Sequence, residues 1–163
     1  NGILDMITIR IERYQETLNL IDTATKRLKD LSPAWREIAD YLHKEVITKS
    51  WDTYGSIMGK RWPALSPKYR AWKDKNYPGR HMLVLTGDMK TAATGGSGSV
   101  LDIKPKEMII GIDTDYIPYA RVHQFGYKKI PQRPYFFSKD GTLPGRAIQK
   151  IINVIKKRIN EES

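Results

Sequence analysis

Apolar and polar residues alternate strictly over Ile7-Thr8-Ile9-Arg10-Ile11-Glu12, the period-2 pattern of a half-buried strand. From Tyr14 the period lengthens: Tyr14, Leu18, Ile21, Thr25 and Leu28 fall at helical spacing, which predicts a helix over residues 14–30. Ser32-Pro33 reads as an N-cap followed by proline in the first turn. Trp35, Ile38, Ala39, Leu42 and Val46 then make the apolar stripe of a second helix, running to about Lys49, with His43 on its polar, solvated side. The connection between the two helices is very short, so they are expected to pack as an antiparallel pair.

The periodicity disappears between Trp51 and Pro63, where Gly55, Gly59 and Pro63 mark a loop. Ser66-Pro67 repeats the cap-then-proline start and opens a short helix through Tyr69 and Trp72 that ends before Tyr77-Pro78-Gly79. Thr86-Gly87-Asp88 begins a turn or short helix, and Gly95-Gly96-Ser97-Gly98-Ser99 reads as a flexible loop tip. Val100–Ile103 and Met108–Ile112 are strands of a hairpin turning through Pro105-Lys106-Glu107. Tyr119–Phe125 is a short helix stopped by Gly126. Proline makes Ile130-Pro131-Gln132-Arg133-Pro134 stiff and extended, and Tyr135-Phe136-Phe137 follows as a strand or an anchor. Pro144 fits the first turn of a last helix striped by Ile148, Ile151, Ile152, Ile155 and Ile159. The expected fold is α+β: two N-terminal antiparallel helices, a small antiparallel sheet with a short helix, and a long C-terminal amphipathic helix. One domain over residues 1–163 is expected, with residues 1–12 as an arm or strand.

The absence of cysteine excludes disulfide scaffolds, thiolate zinc sites, iron–sulfur clusters and cysteine nucleophiles. The longest apolar runs, such as Met108-Ile109-Ile110, cannot span a bilayer, and no basic segment followed by an apolar core opens the chain. A soluble intracellular product with no membrane partner is expected. The net charge of +10 is unevenly placed. Residues 60–90 carry eight basic and two acidic side chains, and residues 121–163 carry ten and three. Residues 91–120 between them carry two and four. Two basic blocks flanking an acidic-leaning stretch point to a polyanion, nucleic acid being the usual one.

Candidate chemistry is sparse. His43, His81 and His123 have no ligand partner at i+3 or i+4, so no metal or cofactor is expected. Asp113, Asp115 and His123 are the grouping closest to a metal-dependent nuclease, and Asp113-Thr114-Asp115 reads more simply as a strand end and capping loop. No phosphate loop or nucleophile elbow is present in the sequence. Catalysis is not expected. Large rigid aromatics beside Arg133 suit either an interface hot spot or a core anchor.

Four motifs stand in order along the chain. They are Gly59 with Trp62-Pro63-Ala64-Leu65-Ser66; Leu83-Val84-Leu85-Thr86-Gly87-Asp88-Met89; Tyr119-Ala120 with His123-Gln124-Phe125-Gly126; and Arg133-Pro134-Tyr135-Phe136. Together they resemble the phage virion-morphogenesis family, the tail-completion or neck proteins of Mu-like and related tailed phages. Met89 replaces the family's usual leucine, and Tyr127 stands where a second glycine is common. The resemblance implies a structural virion protein at the head-proximal end of the tail, assembled in the host cytoplasm. It implies a ring of copies, hexameric to match the tail, that permits head–tail joining. Its implied neighbours are tail terminator, tube and sheath proteins, head-closure or connector proteins, and the packaged DNA. The motif residues Trp62, Leu65, Ser66, Thr86, Gly87, Tyr119, Ala120, His123, Gln124, Phe125, Gly126, Arg133, Pro134, Tyr135 and Phe136 carry over as determinants of fold and interface. Lys150, Lys156, Lys157 and Arg158 lie off the last helix's apolar stripe and are candidates for a DNA-facing surface. The alternatives are a stand-alone basic nucleic-acid-binding protein and, less favoured, the nuclease.

Overall fold

The computed structural model describes Ile7–Thr8 and residues 27–160. The expected strand beyond Thr8, the helix over 14–26 and its antiparallel packing therefore lie outside the described residues. Arg27–Lys29 forms a 3-10 turn rather than the last turn of an α-helix. Helix α1 follows over Ser32–Asp52, α-helical through Ser32–Tyr41, π-helical through Leu42–Ile47, and α-helical again through Thr48–Asp52. Ser32 does not cap it. The Asp30 carboxylate accepts the Ser32 N–H at 2.9 Å instead, an ionised acceptor two residues ahead taking the first free amide.

The π-helical turn carries α1 past its expected end near Lys49. Its wider turn keeps Leu42, His43, Val46, Ile47, Ser50 and Trp51 on one buried face, and the Thr48 N–H and hydroxyl both donate to the His43 carbonyl. His43 is buried, not solvated, because it stands one turn after Ala39 and one before Ile47. Gly95 closes over its ring; a Cβ there would lie 2.9 Å from Nδ1. Burial holds the imidazole below its ordinary pKa, against the opposing charge of Asp40. The glycine segment expected to be a free tip is therefore packed: Gly96 lies against Thr91 and Gly98 against Tyr116, with no room for side chains.

The hairpin forms as expected, β2 (Ser99–Lys104) pairing with β3 (Glu107–Ile112) from Ser99↔Ile112 to Lys104↔Glu107. The two-residue strand β1 (Ile7–Thr8) pairs antiparallel with β3 through Ile7↔Ile110 and Thr8↔Ile109, which makes β3 central. Met108, Ile110 and Ile112 alternate into the core, and α1 packs on β2 and β3. Helix α2 (Pro67–Asn76) is capped by Ser66, whose Oγ accepts the Tyr69 N–H. Helices α3 (Asp88–Ala93) and α4 (Tyr119–Phe125) are short, and α5 (Gly145–Asn160) packs back on α1. The fold is α+β.

The buried face of α5 differs from the isoleucine stripe. Ala147, Ile151, Val154 and Ile155 are inside, while Ile148 and Ile152 are 44% and 39% exposed. At 100° per residue the buried arc is centred about 70° from the stripe's centre, toward Ala147 and Val154. Ala147, Ala34 and Ala39 share one core where α5 packs on α1, and Ile148 and Ile152 are left at the rim.

Trp51 at the end of α1 is an aromatic hub. Its ring meets Trp62 edge-on at 5.9 Å and Tyr135 at 5.0 Å. Trp62 lies flat over Gly55 (φ +82°), where a Cβ would come within 2.2 Å of the indole. Gly59 (φ +97°) has nothing near it. Gly59→Ala should thus cost only the left-handed backbone penalty, about 1 kcal/mol and about 3 °C in Tm. Gly55→Ala adds displacement of Trp62 and should cost about 3 kcal/mol or more, near 10 °C by thermal melting. Equal losses at the two glycines would remove the tryptophan contact from the account.

Candidate functional site

Apart from one antiparallel bridge between Tyr127 and Ile130, the segments after α4 and before α2 lie outside the strands, and side chains supply what a sheet would. Trp62 Nε1–H donates to the Pro134 carbonyl at 2.7 Å. In return Arg133 donates from Nε to the Pro63 carbonyl and from Nη2 to the Ala64 carbonyl, both at 2.9 Å. Gln124 works as a surrogate peptide unit. Its Oε1 accepts the N–H groups of Tyr135 and Phe136, each at 3.0 Å, and its Nε2 donates to the Phe137 carbonyl at 3.1 Å. The Tyr135 hydroxyl donates to the Ala120 carbonyl, and the Arg133 N–H to that of His123. Trp62, Ala120, Gln124, Arg133, Pro134, Tyr135 and Phe136 are all buried in this lock. The aromatics beside Arg133 are core anchors.

Five of the remaining motif residues gather around a cleft of about 430 Å³. Leu65, Thr86, Gly87, Tyr119 and His123 line it, with Leu83, Val84, Leu85 and Met89 adding apolar wall and Tyr69 and Lys73 coming from α2. Three motifs far apart in sequence thus meet at one opening. Gly87 (φ +108°) precedes α3, and the Thr86 hydroxyl donates to the Asp88 carboxylate at 2.6 Å. Leu83, also in the left-handed region at φ +59°, holds a conformation costing about 1 kcal/mol where it borders the cleft. Phe125 is half exposed and leans on Phe137 at 5.8 Å, while at Gly126 a Cβ would meet the Gln132 N atom at 3.0 Å.

Lys73, which the sequence reading passed over, is the one buried residue of α2; its ammonium donates to the His81 carbonyl. Burial lowers its pKa, partly offset by Asp74. Its spacing of four from Tyr69 was the available signal. The nuclease grouping does not assemble. The Asp113 carboxylate accepts the Asp115 and Tyr116 N–H groups in a local turn, and among the described residues no three His, Asp or Glu side chains converge as metal ligands.

The four candidate cations lie elsewhere, on α5. Lys150 pairs with Glu37 at 3.2 Å. Arg158 is half-buried; its charge, with that of Arg36, adds to the hydrogen bonds from Ser32 that lower the Asp30 pKa. Lys156 and Lys157 are exposed at the helix end.

Residues 10–159 match the phage virion morphogenesis family, which covers all four motifs. The chain belongs to this family. Its role is therefore in building the virion, and the family is a structural, assembly one. No curated protein and no solved structure matches the chain. Among the described residues no helix is long and apolar enough to cross a membrane. The residues of the four motifs acquire physical reasons here: most of them either close the lock or shape the cleft.

His123 reports on that arrangement. Burial, with the nearby Arg133 charge, pushes its pKa down to about 4, and its Nδ1 has no hydrogen-bond partner. In the unfolded chain it titrates near 6.5. Between these values the unfolded state binds the extra proton, so stability falls as pH drops from about 6.5 toward 4, by about 3 kcal/mol at most for this group. His43 acts in the same direction. Urea unfolding of His123→Phe across this window should give a clearly shallower pH dependence than the parent; an unchanged slope would show that His123 is not held neutral.

Proposed function

We propose that this chain works as one domain at the head-proximal end of a phage tail. Copies of it close a ring, hexameric by analogy with the six-fold tail, that completes the tail and lets the filled head join. The observation that supports this is the contrast within the motif block. The lock holds its main chain rigid, yet Tyr119, Phe125, Tyr127 and Ile130 of the same stretch remain exposed. Large apolar side chains on a stiff frame suit a subunit contact, because little entropy is lost when they are covered.

On this reading the neighbours are tail terminator, tube and sheath proteins on one side and head-closure or connector proteins on the other. The ring encloses the path of the packaged DNA and meets phosphates without reading sequence. Lys156 and Lys157, exposed at the end of α5, suit that contact. No catalysis, metal or cofactor enters. The stand-alone nucleic-acid-binding reading rests on the charge of +10 and its two basic blocks.

Electron microscopy of lysates from phage carrying a stop codon at Trp35 tests the assembly role. Filled heads beside separate tails are expected, and intact joined particles would overturn it. In the same phage, Lys156→Gln with Lys157→Gln should leave particles joined but weaken their retention of DNA on salt challenge. Full retention would remove these lysines from the DNA path and leave the joining role untouched.

A further inference from the structure

Helix α2 turns the usual amphipathic arrangement inside out. Its single buried side chain is Lys73, whereas Tyr69 and Trp72 are 42% and 45% exposed, and Tyr77 just beyond the helix is 36% exposed. Two of these rings stack and the third tilts against them. Tyr69 and Trp72 lie 5.5 Å apart and within 24° of parallel, and Tyr77 closes on Trp72 at 5.6 Å and 51°. Lys68, Trp72 and Lys75 fall at i, i+4 and i+7, so two ammonium groups flank the indole on one stripe, and Arg80 follows the helix. Arg70 is paired with Asp74 at 3.0 Å, but Lys68, Lys75 and Arg80 carry no ion pair among the described residues. The far side of Tyr69 borders the 430 Å³ cleft, which Tyr119 and His123 also line.

An exposed aromatic stack edged by free cations is the combination that binds single-stranded nucleic acid: every base offers a π-face to a ring, and its phosphates offer charge to the lysines. Duplex DNA keeps its base faces covered and would leave the rings unused. The same basic face of a second copy is electrostatically disfavoured here, since residues 60–90 carry eight basic against two acidic side chains. We propose that the exposed face of α2 binds single-stranded DNA or RNA without sequence preference, bases stacking on the Tyr69, Trp72 and Tyr77 rings and phosphates lying along Lys68, Lys75 and Arg80. The proposal goes beyond the ring reading and stands or falls independently of it.

The intrinsic fluorescence of the full chain tests this directly, because Trp72 is exposed while Trp35, Trp51 and Trp62 are buried. Titration with a twelve-nucleotide oligothymidylate should quench Trp72. Three phosphate contacts should give a slope of about −2 in log K against log salt. Trp72→Ala should weaken binding about tenfold or more, and Trp72→Phe should retain most of it. Lys68→Gln with Lys75→Gln should flatten the salt slope. All of these side chains are exposed, so the variants should melt like the parent. Absence of binding at low salt would overturn the proposal. So would a Trp72→Ala variant that binds as tightly as the parent. Equal affinity for a twelve-base-pair duplex would reassign the surface to duplex phosphates, and equal affinity for polyglutamate would reassign it to an acidic protein partner. Either result also overturns the proposal.

Discussion

The structure depends on one exchange of hydrogen bonds between two stretches that have no regular structure. Trp62 gives its indole N–H to the carbonyl of Pro134, and Arg133 gives two guanidinium N–H groups to the carbonyls of Pro63 and Ala64. Buried main-chain carbonyls must be paired, and prolines at 63, 131 and 134 bring no N–H groups of their own. Side chains therefore do the work of a strand. This explains the residue types as well as the positions. A neutral amide side chain can accept from two successive N–H groups on its oxygen and donate to a carbonyl from its nitrogen, as Gln124 does. Gln124→Glu would keep the acceptor and lose the donor.

The same exchange has an electrostatic side. The Arg133 guanidinium is buried against neutral carbonyls, with no carboxylate among its hydrogen-bond partners. Its charge is solvated by dipoles alone, so nearby groups respond to it. His123 stays neutral partly for this reason, and burial drives the Tyr135 hydroxyl's pKa upward, which keeps it a donor to Ala120. The lock and the lining of the cleft are thus coupled through charge as well as through the main chain.

Much of the fold was legible because it is local. The Ser66 cap, the β2–β3 hairpin, the stop at Gly126 and the extent of α5 all follow from neighbours within a few residues. What sequence reasoning missed was decided by distant partners. Gly95, distant in sequence, packs over the inward-facing His43 ring and completes its burial, and α1 continues to Asp52 because a π-helical turn brings Trp51 to Trp62 and Tyr135. The isoleucine stripe of α5 could not reveal that α1 would accept the Ala147 edge. The site divides in the same way. Its members were legible as motifs, but which of them turn inward was not, since an aromatic beside an arginine reads the same in a core or at an interface. Lys73 gave almost no signal, as a lysine in a basic helix looks solvated until a carbonyl is found above it.

The hydrogen bonds of the lock join residues 72, 70 and 69 positions apart. Contacts of such separation carry a loop-closure cost that local helices and hairpins do not, so they form after those elements and close to the native state. Interactions made late in folding act mainly on the rate of unfolding. Trp62, Gln124 and Arg133 thus set how long the folded chain stays folded more than how fast it gets there. A part built once into a particle and never renewed is served by that kind of persistence.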